Sequence, residues 1–170
     1  MTEESTNTQI YVVDANNRPL AVMDREQVLR QGLKHRNVAL VLRDARGRLV
    51  LRRRPADHPI YPGRWDIAGG GHVQAGLAAE DVARACVPAS LPGLEVWHAR
   101  TLGASARTGN AFVEIFLARL GSAQGSTLLH DHDYLSVDQD ELDALASAHP
   151  DLFTPALITV WTEQIAFGPS

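Results

Sequence analysis

Several things are scarce in this chain, and each scarcity excludes a class of protein. There is one cysteine, Cys86, so no internal disulfide can form. A reducing compartment, the cytoplasm, is therefore expected. No apolar run approaches the ~20 residues that cross a bilayer, so no membrane partner is expected. Basic charge is not in excess: 16 Lys and Arg face 20 Asp and Glu, a formal net charge of -4. A general nucleic-acid surface needs the opposite balance, because duplex backbones are gripped by surplus Lys and Arg. The opening residues, Met1 to Thr8, are polar and lack the apolar centre of a signal peptide. They are expected to be a flexible terminus preceding one domain over residues 9–170. What is present suits such a domain, since 45% hydrophobic and 21% charged residues are ordinary for a compact fold of 170 residues.

Strand and turn signals fill the first half. Gln9–Val13 and Leu20–Met23 flank a polar, Asn-rich turn and read as a hairpin. Asp24 is a good N-cap for a short helix over residues 25–31, closed by Gly32. Val38–Leu42 and Leu49–Arg53 bracket Asp44-Ala45-Arg46-Gly47, a second hairpin. Residues 55–63 carry three prolines and read as loop. Leu94–Leu102 and Ala111–Leu120 are β-rich and are expected to pair across Gly103–Asn110. Gly121–Thr127 reads as a small-residue linker. Asp138–Ala148 reads as a helix, and Thr154-Pro155 opens a last one to about Phe167. Strands interleaved with a few helices predict a mixed α/β or α+β domain.

The most informative stretch is Gly69-Gly70-Gly71-His72-Val73-Gln74-Ala75-Gly76 with the run from Leu77 to Ala89 behind it. It resembles the start of a Nudix box, the diphosphate-cleaving motif G-x5-E-x7-R-E-U-x-E-E-x-G-U, where U is aliphatic. With Gly71 as the first Gly, the first Glu falls on Leu77 and the Arg-Glu pair on Ala85 and Cys86. The two catalytic Glu fall on Ala89 and Ser90. Hard cations such as Mg2+ need oxygen ligands, usually carboxylates gathered on one face of an element. Here those positions offer a thiol, a methyl and a hydroxyl. Pro88 costs a helix interior roughly 3 kcal/mol, so the helix is expected to kink there or end near Val87. Of the acids left, Glu80 reads as a surface partner of Arg84.

The resemblance covers roughly residues 10–167. It is closest to the Nudix branch that includes isopentenyl-diphosphate isomerase and related hydrolases. It rests on Tyr11-Val12-Val13-Asp14, His35-Arg36, Asp44 to Leu49, Arg53-Arg54, Pro62 to Asp66, Gly70 to Val73 and Phe153-Thr154-Pro155. It implies a Nudix fold, an α/β/α sandwich around a mixed central sheet. Isomerase activity is not implied. The catalytic Cys of that branch falls on Gly70, a metal-holding His falls near Val28 and a strand Glu near Ala111. A proton shuttle cannot run without its acid and base.

The resemblance points to Arg53 and Arg54, with Arg64, Gly70, Gly71 and His72, as a substrate-binding set. Guanidinium groups grip phosphates bidentately, and strand alternation sends Arg53 to the face opposite Arg52 and Arg54. Glu114, between large apolar neighbours, is the candidate catalytic base, or else the ordinary polar position of an alternating strand. Weak metal candidates are His35, His72, Glu80, Glu114 and His130, with Mg2+ or Mn2+ expected only if the protein is active. If His130-Asp131-His132-Asp133 lies on a strand, its two His share one face. Cys86, amid apolar neighbours, reads as a small buried hydrophobe. Three functions follow: a non-catalytic domain holding a small diphosphate-containing molecule, a hydrolase of nucleoside-diphosphate-type compounds with relocated ligands, or an interaction subunit, possible as a homodimer.

Overall fold

A computed structural model describes residues 8–167, so the expected flexible terminus lies, but for Thr8, outside the described residues. Two hairpins begin the chain, and both turns are built the same way. Strands β1 (Gln9–Val13) and β2 (Pro19–Asp24) are joined by a turn in which Asp14 Oδ1 accepts the N–H groups of Asn16 and Arg18. Strands β3 (His35–Arg43) and β4 (Leu49–Arg53) are joined by a turn in which Asp44 Oδ1 accepts from Arg46 and Arg48. A short Asp side chain that bonds its own backbone two residues on is what such turns require. Helix α1 (Arg25–Arg30) follows β2, capped by Asp24, whose Oδ1 accepts from Gln27.

Strand β3 organises the main sheet. One edge pairs in parallel with all nine residues of β8 (Ala111–Arg119). The other edge is divided. Near its end β3 meets β4 at Leu42/Val50 and Arg43/Leu49, while residues 37–40 pair with β6 (Gly69–His72). Strand β4 meanwhile turns away to pair with β5 (Trp65–Asp66) and with β9 (Tyr134–Val137). Residues 65–72 are thus wedged into a fork between β3 and β4. Strand β7 (Trp97–Leu102) closes the far side against β8, across the expected connection at 103–110.

Alternation along β3 and β8 gives the sheet two apolar faces. Ala39, Val41, Ile115 and Leu117 join one core with Leu142 of α4 (Gln139–Ala148) and Leu157 and Val160 of α5 (Pro155–Thr162). Val38, Leu40, Phe116 and Ala118 join the other with Ala83 of α2 (Ala79–Ala85) and Leu128 of α3 (Ser122–Leu129). This is the expected α/β/α arrangement around a mixed sheet.

Three elements differ from the sequence reading. The presumed linker at 121–127 is mostly helix α3. Gln124 Oε1 caps its start by accepting from Gly121 N–H, and Leu128 is buried beneath it. The triple-glycine run is itself strand β6. Helix α5 stops at Thr162, five residues early, where Gln164 takes a left-handed φ of 55°. The chain end then folds back, and Arg43 donates to the carbonyls of Ile165 and Ala166 at 2.9 Å each.

Glycine is required in β6 by close approach. A Cβ on Gly69 would lie 2.8 Å from Cys86 Cβ and 2.9 Å from the Cys86 carbonyl. A Cβ on Gly70 would lie 2.8 Å from the carbonyl of Val38. Helix α2 is short because a proline follows it: Ala85 is its last residue and Cys86 its cap, two positions before Pro88. Cys86 therefore sits at the helix end, not in mid-helix. Gly69→Ala is expected to destabilise the fold by about 1–3 kcal/mol through overpacking. A lowered urea midpoint with unchanged slope checks this; an unchanged midpoint would mean that α2 can yield.

Candidate functional site

The fork between β3 and β4 opens into a cleft of about 570 Å³. Its polar wall carries Arg52, Arg54, His58, Tyr61, Asp66 and Thr154, and its floor follows the backbone of Gly69–Gly71. Leu102, Val113, Ile115 and Val160 make the opposite side apolar, with Arg107 nearby on the turn 106–108.

A chain of hydrogen bonds fixes the polar wall. Thr154 is buried and caps α5 by accepting from Leu157 N–H at 3.3 Å. Its hydroxyl donates to Asp66 Oδ1 at 2.6 Å, and the same oxygen accepts from Ile67 N–H at 2.8 Å. Asp66 Oδ2 accepts from Arg54 Nη1 at 3.2 Å. Arg54 Nη2 then donates to His58 Nε2 at 3.0 Å. Arginine can only donate, so His58 Nε2 is the acceptor of this bond. His58 Nδ1 lies 2.8 Å from the Ile60 carbonyl and 3.1 Å from the Ile60 N–H, which holds the ring against the loop. Arg54 is thus pinned from two sides, and an arginine fixed this way needs less ordering to meet an anion. Burial pushes the Asp66 carboxyl above its ordinary range, outweighing the lowering by Thr154, Ile67 N–H, Arg54 and Arg52.

Of the residues singled out by sequence, Arg54, Gly70 and Gly71 line the cleft. Arg53, Arg64 and His72 do not. Arg53 sits opposite Trp65 on the sheet, its N–H bonded to the Asp133 carbonyl. Arg64 donates to the Phe153 carbonyl at 3.3 Å, with its guanidinium 5.1 Å from the Tyr61 ring centre. His72 Nδ1 lies 2.7 Å from Asn37 Oδ1, and its ring is 5.4 Å from that of buried His35. Burial, with His35 and Arg25 nearby, lowers the His72 pKa to about 4. His35 bonds the Leu33 carbonyl through Nδ1.

Glu114 lies on the other face of the sheet. Its neighbours Val113 and Ile115 line the cleft, so alternation turns it away. Its Oε2 meets His98 Nε2 at 2.6 Å and Thr101 Oγ1 at 2.8 Å. His130 caps α3 and bonds the Ser126 carbonyl, and residues 131–133 form a turn rather than a strand. Glu80 pairs with Arg84 on the exposed surface of α2. Among the described residues no three His, Cys, Asp or Glu converge as a metal-binding group. The Mg2+ implied by the box does not fit this donor set, because Cys86, Ala89 and Ser90 supply no carboxylate.

Sequence reasoning gave no site role to His58, Asp66, Thr154 or Arg107, which line the cleft. Strand alternation already put Arg52 with Arg54. Nothing local signals that Thr154, 88 residues from Asp66, is its partner.

No family model matches the chain. Curated relatives do. An uncharacterized Nudix hydrolase of Pseudomonas aeruginosa is 39% identical over 71 residues, 42% of each chain. The uncharacterized Nudix hydrolase YfcD of Salmonella typhi is 33% identical over 107 residues, 56% of this chain and 58% of its own. The chain thus spans roughly two-fifths to three-fifths of the relatives' lengths. Among solved structures, DR0079 of Deinococcus radiodurans superposes with a TM-score of 0.72 at 18% identity, covering 91% of this chain and 98% of its own. The Nudix hydrolase RenU of M. smegmatis gives 0.51 at 16%, covering 91% and 92%. The likeness to solved structures establishes a Nudix-type fold, and over part of its length the chain is similar in sequence to curated Nudix hydrolases.

Asp66 has a pH signature. Its folded pKa is raised, so its contribution is fully present below the unfolded value of roughly 4 and is lost as pH rises through the folded value. Asp66→Asn carries no such cost. The stability of the variant relative to the parent is therefore expected to improve as pH rises from about 4, measured by urea unfolding at several pH values. The opposite slope would mean that the Arg54 pairing outweighs burial.

Proposed function

We propose that the cleft binds a small diphosphate-containing metabolite and does not cleave it by the metal chemistry of a Nudix box. The observation that carries this reading is the pairing of an intact cleft with a box helix that holds no carboxylate ligands. Arg52 and Arg54 stand on the wall of that cleft, and guanidinium is the side chain best matched to phosphate oxygens. Arg54 keeps donor hydrogens to spare after its bonds to Asp66 and His58, since guanidinium carries five. A cavity of about 570 Å³ falls within the usual range for small-molecule sites and exceeds what a bare diphosphate occupies. The apolar side then faces the rest of the ligand.

Hydrolysis by Nudix relatives is a statement about those proteins, and a fold hosts many chemistries. In this chain the positions that should gather the cation carry Cys86, Ala89 and Ser90 on and beyond a helix that has ended by then. Phosphoryl transfer rests on charge neutralisation and positioning. Binding needs the phosphate charge met by Arg52 and Arg54, without a metal-aligned in-line arrangement.

The test is a panel of pyrophosphate, nucleoside diphosphates, nucleotide sugars and dinucleoside polyphosphates, followed by melting temperature and by phosphate release. A ligand that binds the native state raises its melting temperature by mass action. Thermal shift without phosphate release is expected for at least one member, and turnover on any member would overturn the non-catalytic reading. Arg54→Ala is expected to weaken binding of that member by about ten- to a hundredfold, the size of a charged hydrogen bond. Calorimetric titration checks it, and unchanged affinity would remove Arg54 from the site.

A further inference from the structure

The cleft carries more positive charge than binding a diphosphate alone explains. Among the described residues its lining holds three arginines, Arg52, Arg54 and Arg107, against one carboxylate, Asp66, in a chain whose formal net charge is -4. A concave surface of one sign concentrates ligands of the other. The arginines are not gathered at one point. Arg52 belongs to β4 and Arg54 directly follows that strand, whereas Arg107 lies on the turn 106–108 between β7 and β8. Strands β4 and β7 flank β3 and β8 in the sheet, so three strand spacings separate the two ends, roughly 14 Å between backbones. The apolar side chains of Leu102, Val113, Ile115 and Val160 line the same cleft.

Arg107 is weakly held by the protein. Its side chain is 77% exposed, and its charged partner among the described residues is Glu163, 4.0 Å from Nη1. That carboxylate is shared, since Arg100 Nη2 approaches its other oxygen at 3.3 Å. One acid for two guanidinium groups leaves positive charge over at this end of the cleft. Arg54, by contrast, is tied to both Asp66 and His58. An exposed pair as long as that of Arg107 adds little to stability, so holding the fold does not account for this arginine.

We infer, resting on the diphosphate reading, that Arg107 binds a second anionic group, a phosphomonoester or a carboxylate, carried by the part of the ligand that extends from its diphosphate. With the diphosphate at Arg52 and Arg54, the connecting group crosses the apolar side and its own acid meets Arg107. Long arginine stems reach inward from both ends, so the two anions stand on the order of 10 Å apart. A nucleotide sugar whose sugar is a uronic acid, or a nucleoside diphosphate with a further phosphate on its ribose, has this chemistry. A neutral sugar in the same place leaves Arg107 unmet.

Matched ligands test this by calorimetric titration: UDP-glucuronate against UDP-glucose, and adenosine 3′-phosphate 5′-diphosphate against ADP. Each pair differs by one acid. The acid-bearing member of at least one pair is expected to bind about fivefold tighter, the upper end for an exposed ion pair, and the pair that shows it identifies the second anion as carboxylate or phosphate. Arg107→Ala should bring that ratio to about one, and Arg107→Lys should keep part of it. Glu163→Gln, which removes the competing carboxylate, should raise it. The ratio is taken within each variant, so a general loss of affinity cancels. A ratio of one for both pairs in the parent protein, or a ratio unchanged by Arg107→Ala, would overturn this inference and leave the diphosphate reading standing. Failure of all four ligands to bind would overturn both.

Discussion

The divided edge of β3 is the constraint on which the rest depends. A strand has two hydrogen-bonding edges, and buried backbone groups must be paired. One edge of β3 is spent on β8 over nine residues. The other is shared by β4 and β6, and two strands can share an edge only if one leaves it. The departure of β4 opens the cleft and sets Arg52 and Arg54 on its wall. The arrival of β6 brings backbone so close to Val38 and Cys86 that side chains are excluded at Gly69 and Gly70. Gly70, which the resemblance placed in the substrate-binding set, is thus also, with Gly69, a packing necessity.

The second tie is the Thr154–Asp66–Arg54–His58 chain. It links the start of α5 to the proline-rich loop across the polar wall, joining elements far apart in sequence. A buried carboxylate is costly unless its lone pairs are used. Asp66 spends them on a hydroxyl, a backbone N–H and a guanidinium. Its role is to position Arg54, which is why the arginine, rather than the acid, is read as the ligand-facing group.

How much of this was legible in sequence follows from the range of each interaction. Elements governed by neighbours were readable: the Asp14 and Asp44 turns, the Asp24 and Thr154 caps, the alternation of β4 and the paired run of β7 and β8. Helix α3 was not, because Ser, Gly and Thr are weak helix formers and only the burial of Leu128 and Gly125 commits them. Strand β6 was not, because three glycines have no strand propensity and are held by the edge of β3 alone. The site divided in the same way. Arg54 and the glycines were found through the resemblance and lie in the cleft, whereas Arg53, Arg64 and Glu114 are carried elsewhere by alternation and by contacts with Asp133, Phe153 and His98. Asp66 shows no local sign of its raised pKa, since burial is a property of the whole fold.

The proposed phosphate recognition by Arg52 and Arg54 requires no cation of the kind a Nudix box gathers. Its most direct test is a calorimetric titration of the tightest-binding diphosphate from the panel, run once in excess EDTA and once in millimolar Mg2+. Equal affinity in the two, within about twofold, is the predicted result, because Arg52 and Arg54 need no metal to meet the phosphates. Affinity that appears only with Mg2+ would contradict the account and place a cation among the residues of the cleft.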